Sequence, residues 1–67
     1  MKMGNIIKEL RVEHNMTQSQ LAKQLNISQD TVSLWERGKS QPDVENLKKL
    51  MKIFGVSADF LLGETDY

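Results

Sequence analysis

Residues 16–38 read Met16-Thr17-Gln18-Ser19-Gln20-Leu21-Ala22-Lys23-Gln24-Leu25-Asn26-Ile27-Ser28-Gln29-Asp30-Thr31-Val32-Ser33-Leu34-Trp35-Glu36-Arg37-Gly38. Two helix starts are written in this stretch in the same chemistry. A polar residue, Thr17 or Ser28, offers an oxygen to the unpaired N–H groups of a first helical turn, with apolar residues one before and four after it. Met16 with Leu21, and Ile27 with Val32, are those flanking pairs, the hydrophobic staple. Gln20, three residues after Thr17, completes a capping box by reaching back to the Thr17 N–H. Between the two helices Asn26 stands where a left-handed residue is needed. Asparagine tolerates positive φ best after glycine, so Leu25-Asn26-Ile27-Ser28 is a tight turn joining Thr17–Leu25 to Ser28–Arg37 at a steep angle.

The same signals continue outward. Val56-Ser57 with Leu61 repeats the staple, and Pro42-Asp43 with Leu47 is a weaker version, so a fourth and a fifth helix follow. Gly38, Gly55 and Gly63 are the expected stops of helices three, four and five. Helix four carries Leu47, Leu50, Met51 and Phe54 at i, i+3, i+4 and i+7, a buried stripe, with Lys48, Lys49 and Lys52 outside as a solubilising face. Helix one is read as roughly Gly4 to His14 from Ile7 and Leu10, with Asn5 as its only cap. No alternating strand pattern, repeat or low-complexity run interrupts the series.

The whole sequence is 67 residues with nine basic and nine acidic side chains, 39% hydrophobic, and without cysteine. That length predicts one domain, residues 1–67, with one modest core that must be held by packing or by a partner rather than by disulfides. Met1-Lys2-Met3-Gly4-Asn5 leads into Ile6-Ile7-Lys8-Glu9-Leu10-Arg11, which is neither a signal-peptide apolar region nor a membrane span, and a cytoplasmic protein is expected. Net neutrality disfavours binding nucleic acid by bulk electrostatics, although residues 1–39 hold six basic and four acidic side chains and residues 40–67 three and five. His14 has no neighbouring ligand type for a zinc site. No Gly-rich phosphate loop and no Ser/His/Asp or Cys/His set is present, so neither an enzyme nor a cofactor is expected.

Several linked segments carry a resemblance: Glu9-Leu10-Arg11, Met16 to Leu25, Ile27 to Lys39, Gln41-Pro42-Asp43, and Phe54-Gly55-Val56-Ser57-Ala58-Asp59-Phe60-Leu61-Leu62-Gly63. In this order they closely resemble the Cro and phage-repressor, or XRE, helix-turn-helix family, over nearly the whole chain. The resemblance implies an all-α fold, a compact five-helix lambda-repressor-like domain whose helix-turn-helix is 17–37. It implies a sequence-specific transcriptional regulator, a repressor, that binds a double-stranded DNA operator as a homodimer, with no small-molecule ligand. The competing function is a protein-interaction module on the same scaffold, of antitoxin or antagonist type. Two departures from the family pattern stand out: Asn26 where glycine is frequent, and Leu34 where a polar residue is common.

Set against that family, the individual residues take roles. Val32 and Trp35, three apart, face the core, and Trp35 is an anchor rather than a base-stacking residue. Gln29, Thr31, Ser33 and Leu34 are the base-reading candidates. Gln29 is foremost, because glutamine can address adenine with two bonds, while Leu34 is read equally as a contact to a thymine methyl or as a lone exposed leucine. Asp30 suits the dipole of a helix start. Gln18, Arg37, Lys39 and Ser40 are the phosphate-contacting candidates. Arg11 and Glu36 resemble a family pair that ties helix one to the end of helix three. Phe60, Leu62 and Tyr67 are the dimer candidates, since a short fifth helix cannot bury Phe60, Leu61 and Leu62 together and one of Phe60 and Leu62 is expected to face out.

Overall fold

The computed structural model describes residues 2–63, in which five helices follow one another: α1 Lys2–Glu13, α2 Gln18–Leu25, α3 Gln29–Glu36, α4 Val44–Phe54 and α5 Ala58–Leu61. No strand occurs among the described residues. The fold is therefore all-α, as in the repressor domains whose sequences it resembles.

Three of the four connections use one three-residue joint. Asn15-Met16-Thr17, Asn26-Ile27-Ser28 and Gly55-Val56-Ser57 each present a left-handed residue, an apolar residue and a cap, with φ of 58°, 59° and 66° at the first position. The apolar residue closes the preceding helix, as the bonds Met16 N–H to Arg11 O, Ile27 N–H to Ala22 O and Val56 N–H to Met51 O show, at 3.0, 3.0 and 3.1 Å. That is the Schellman closure of a helix end. The same apolar residue then packs on the core beside the next helix start, so one side chain fixes both the exit and the entry angle. The caps are made as read: Thr17 accepts from Gln20 N–H while Gln20 Oε1 accepts from Thr17 N–H. Ser28, Asp43 and Ser57 each accept from the N–H three residues on.

One boundary differs from the sequence reading. α1 begins at Lys2, not near Gly4, and Asn5 is an exposed residue inside the helix rather than its cap. The start is set by packing, with Met3 and Gly4 both buried, and packing leaves no local capping signal. Asn15, the left-handed residue ending α1, stands directly before the Met16-Thr17 staple, the arrangement from which Asn26 was recognised.

The core is one cluster of Met3, Ile7, Leu10, Leu21, Ala22, Leu25, Val32, Trp35, Leu50, Phe54 and Leu61. Both α1 and α2 pack on α3, while α4 and α5 close the opposite end against α2 and α1. His14 Nδ1–H donates to Leu10 O at 2.8 Å, and its ring sits edge-on to Phe54 at 5.0 Å. No described helix is long and apolar enough to cross a membrane.

Candidate nucleic-acid interface

α3 has two sides. Inward, Val32 and Trp35 are buried in the core. Outward, Gln29, Asp30, Leu34 and Arg37 are exposed and Ser33 is half-buried. The pattern follows from period alone, because residues three and four apart share a face. Ser33 and Arg37 are four apart, and Arg37 Nε donates to Ser33 Oγ at 3.2 Å. The guanidinium therefore lies along the outer side of the helix, next to the base-reading candidates. Thr31 is half-buried, and its hydroxyl meets Ser28 Oγ at 2.9 Å, so of the four base-reading candidates it has the least freedom to reach outward.

The end of α3 is tied down by one carboxylate. Glu36 Oε2 accepts from Arg11 Nε at 2.7 Å and Glu36 Oε1 from Arg11 Nη2 at 3.2 Å, a bidentate pair. The side chains are only 11% and 4% exposed, which is the regime where an ion pair is hydrogen-bonded or ruinous. Arg11 Nη1 donates to Met16 O at 2.7 Å, and Gln18 Nε2 donates to Glu36 Oε1 at 3.0 Å. Two helices thus meet at Glu36, α1 through Arg11 and α2 through its first residue Gln18, and Arg11 carries the link on to the α1–α2 joint at Met16 O. The Arg11–Glu36 pair is the one implied by the resemblance. The inward turn of Gln18 has no signal in the sequence, because Glu36 lies 18 residues away along the chain. Gln18 keeps a second amide hydrogen for an outside acceptor.

Beyond Glu36 the chain turns outward. Gly38, at φ 74°, allows Lys39 N–H to close onto Leu34 O at 2.9 Å. Lys39 is exposed and Ser40 half-buried. At the far end of the molecule Phe60 packs against the core while Leu62 is 44% exposed, so Leu62 is the outward member of that pair. Tyr67 lies outside the described residues. Among the described residues no group of three or more His, Cys, Asp or Glu stands together as a metal site.

Two short helices set by a left-handed joint, the second buried on one side and uncovered on the other, are a helix-turn-helix. The helix-turn-helix family model matches residues 7–61, and the chain belongs to that family, in its XRE-type branch. It is similar to the HTH-type transcriptional activator BcrR of Enterococcus faecalis, 44% identical over 62 residues that cover 92% of this chain and 30% of BcrR. It is also similar to the HTH-type transcriptional regulator ImmR of Bacillus subtilis strain 168, 38% identical over 98% of this chain and 52% of ImmR. The chain thus spans under a third of one relative and about half of the other. Among solved structures, the P22 c2 repressor protein in complex with synthetic operator 9T superimposes with a TM-score of 0.89 at 34% identity, over 97% of this chain and 98% of that one. The family and these relatives are DNA-binding transcriptional regulators, not enzymes.

Proposed function

We propose that this chain is a sequence-specific double-stranded DNA-binding regulator that inserts α3 into the major groove. The observation carrying this reading is the uncovered outer side of α3, where Gln29, Ser33 and Leu34 stand beside Arg37 and Lys39. Gln29 and Ser33 address base edges, Leu34 a thymine methyl, and Arg37, Lys39, Ser40 and the free amide hydrogen of Gln18 the phosphates that fix register. Thr31 is the lesser contributor, its hydroxyl being shared with Ser28. The match to a repressor held on its operator supports the same placement.

A single reading helix contacts too few base pairs to discriminate against a genome of competing sites, so two copies act together on a palindrome. Its half-sites are centred about one helical turn, roughly 10 bp, apart. Leu62, the exposed C-cap residue of α5, is the proposed contact between copies. Repression is the proposed output, because occupancy alone blocks a promoter, and the place of action is the cytoplasm.

Selection of bound duplexes from a random pool, followed by sedimentation of the complex at increasing salt, tests all of this. Two chains per palindromic duplex and a steep loss of affinity with salt are expected. Salt-insensitive binding, or the failure to enrich any sequence, would instead make the chain a protein-interaction module. A one-to-one complex on a non-palindromic site, at saturation, would remove the dimer.

A further inference from the structure

Gly4 lies buried in the first turn of α1, against the last turn of α3. A methyl group placed on its Cα would come within 2.3 Å of the Trp35 carbonyl oxygen and 3.0 Å of the Glu36 carbonyl oxygen. Both obstacles are backbone atoms. The Trp35 oxygen is held further by Gly38 N–H at 3.1 Å, so it cannot swing away as the tip of a side chain can. A carbon and a carbonyl oxygen rest at about 3.3–3.6 Å, and a side chain here therefore requires α1 and α3 to part by about 1 Å. Intrinsic helix preference favours alanine over glycine, so propensity does not account for a glycine at this position; the contact does.

α1 meets α3 a second time, two turns later. Gly4, Ile7 and Arg11 are spaced i, i+3 and i+7 and so share one face of α1. Ile7 is fully buried, and Arg11 holds the Glu36 carboxylate. The last turn of α3 is thereby gripped by α1 at its backbone, through Gly4, and at its side chain, through Arg11. Gln29, at the other end of α3, is seven residues from Glu36, about 10 Å along the axis. A displacement at the gripped end reaches it as a tilt, since a close-packed core transmits strain rather than absorbing it.

We propose that Gly4 is a positioning residue for DNA reading: its missing Cβ sets the gap between α1 and the last turn of α3, and with it the angle at which Gln29, Ser33 and Leu34 are presented. Resting on the DNA-binding function proposed above, this assigns a role in recognition to a residue on the far side of α3 from the groove.

The test compares the full chain with Gly4→Ala and with Asn5→Ala, a change at an exposed neighbour in the same helix. Affinity is measured by fluorescence anisotropy for a duplex selected with the wild-type chain and for a random duplex of equal length. The temperature is one at which melting curves show every variant folded, with trimethylamine N-oxide added where Gly4→Ala needs it. Gly4→Ala is expected to lose about tenfold or more in affinity for the selected duplex, the scale of one misplaced base contact, and less than about twofold for the random one. Asn5→Ala changes neither. A lowered melting temperature with the wild-type ratio of selected to random binding retained overturns the proposal, as does a Gly4→Ala chain that stays unfolded even with the osmolyte, since Gly4 is then a packing residue only. If the wild-type chain enriches no sequence, DNA reading itself falls and this inference with it; a retained ratio in Gly4→Ala removes the inference alone.

Discussion

The inner side of α3 carries Val32, Trp35 and, at its end, Glu36, each held by the core or by a bidentate arginine. The outer side carries Gln29, Asp30 and Leu34 in contact with solvent, and the Ser33–Arg37 hydrogen bond is local to the helix itself. Eight residues thus obey two sets of rules. The inner side is over-determined, because any change there disturbs α1, α2 and the core together. The outer side is exposed at Gln29, Asp30 and Leu34, so those residues are the ones available to the proposed DNA partner. On the function proposed above, structural necessity and recognition are separated across the width of one helix.

The sharpest way to break that division is Glu36→Ala, which leaves the Arg11 guanidinium largely buried beside Met16 O and strands the Gln18 amide. Removing one partner of a buried pair costs about 3–5 kcal/mol, read as a lower urea midpoint with an unchanged m-value. A loss below about 1 kcal/mol would mean that the inner side is not fixed through this carboxylate. Next in size is Gln29→Ala, expected to cost about 1–3 kcal/mol in operator binding and to relax the preference at one base position while the melting temperature stays put. Base preference unchanged at every position would take Gln29 out of the readout, and a large drop in melting temperature would blur the two sides into one. The smallest effect sharpens the outer side further: Lys39→Ala should weaken operator and random DNA alike and flatten the slope of log K against log salt by about one unit. An unaltered slope places Lys39 outside the interface.

What could be read from the sequence follows the distance between partners. Thr17 with Gln20, Ser28 with Thr31 and Asn26 before Ile27 are local arrangements, three residues or fewer apart, and the joints they form stand where the text puts them. The stripe of α4, buried at Leu50 and Phe54 and half-buried at Leu47 and Met51, and the inward pair Val32 and Trp35 follow from period. The start of α1 does not, because Gly4 is fitted against Trp35 and Glu36, more than thirty positions away, and that packing leaves no cap behind. Gln18 turning to Glu36, and the choice between Phe60 and Leu62, are likewise decided by the packed molecule. Arg11 with Glu36, 25 residues apart, was within reach only because the family resemblance supplied it. Which DNA the proposed reading side prefers is set by the geometry of a complex, not by the chain alone.

The linkage of α1, the first joint and α2 through Arg11 and Glu36 also bears on how the molecule opens. If α1 frays, Arg11 leaves and a carboxylate that is 4% exposed loses its countercharge, so the departure of one helix weakens the seat of the next. Elements linked in this way open as one cooperative unit rather than one by one. α5, four residues long, lies outside that knot and joins the fold through Leu61, which is fully buried. The proposed reading helix therefore sits in the part of the fold whose opening must be collective, while Leu62, the proposed contact between copies, lies outside it.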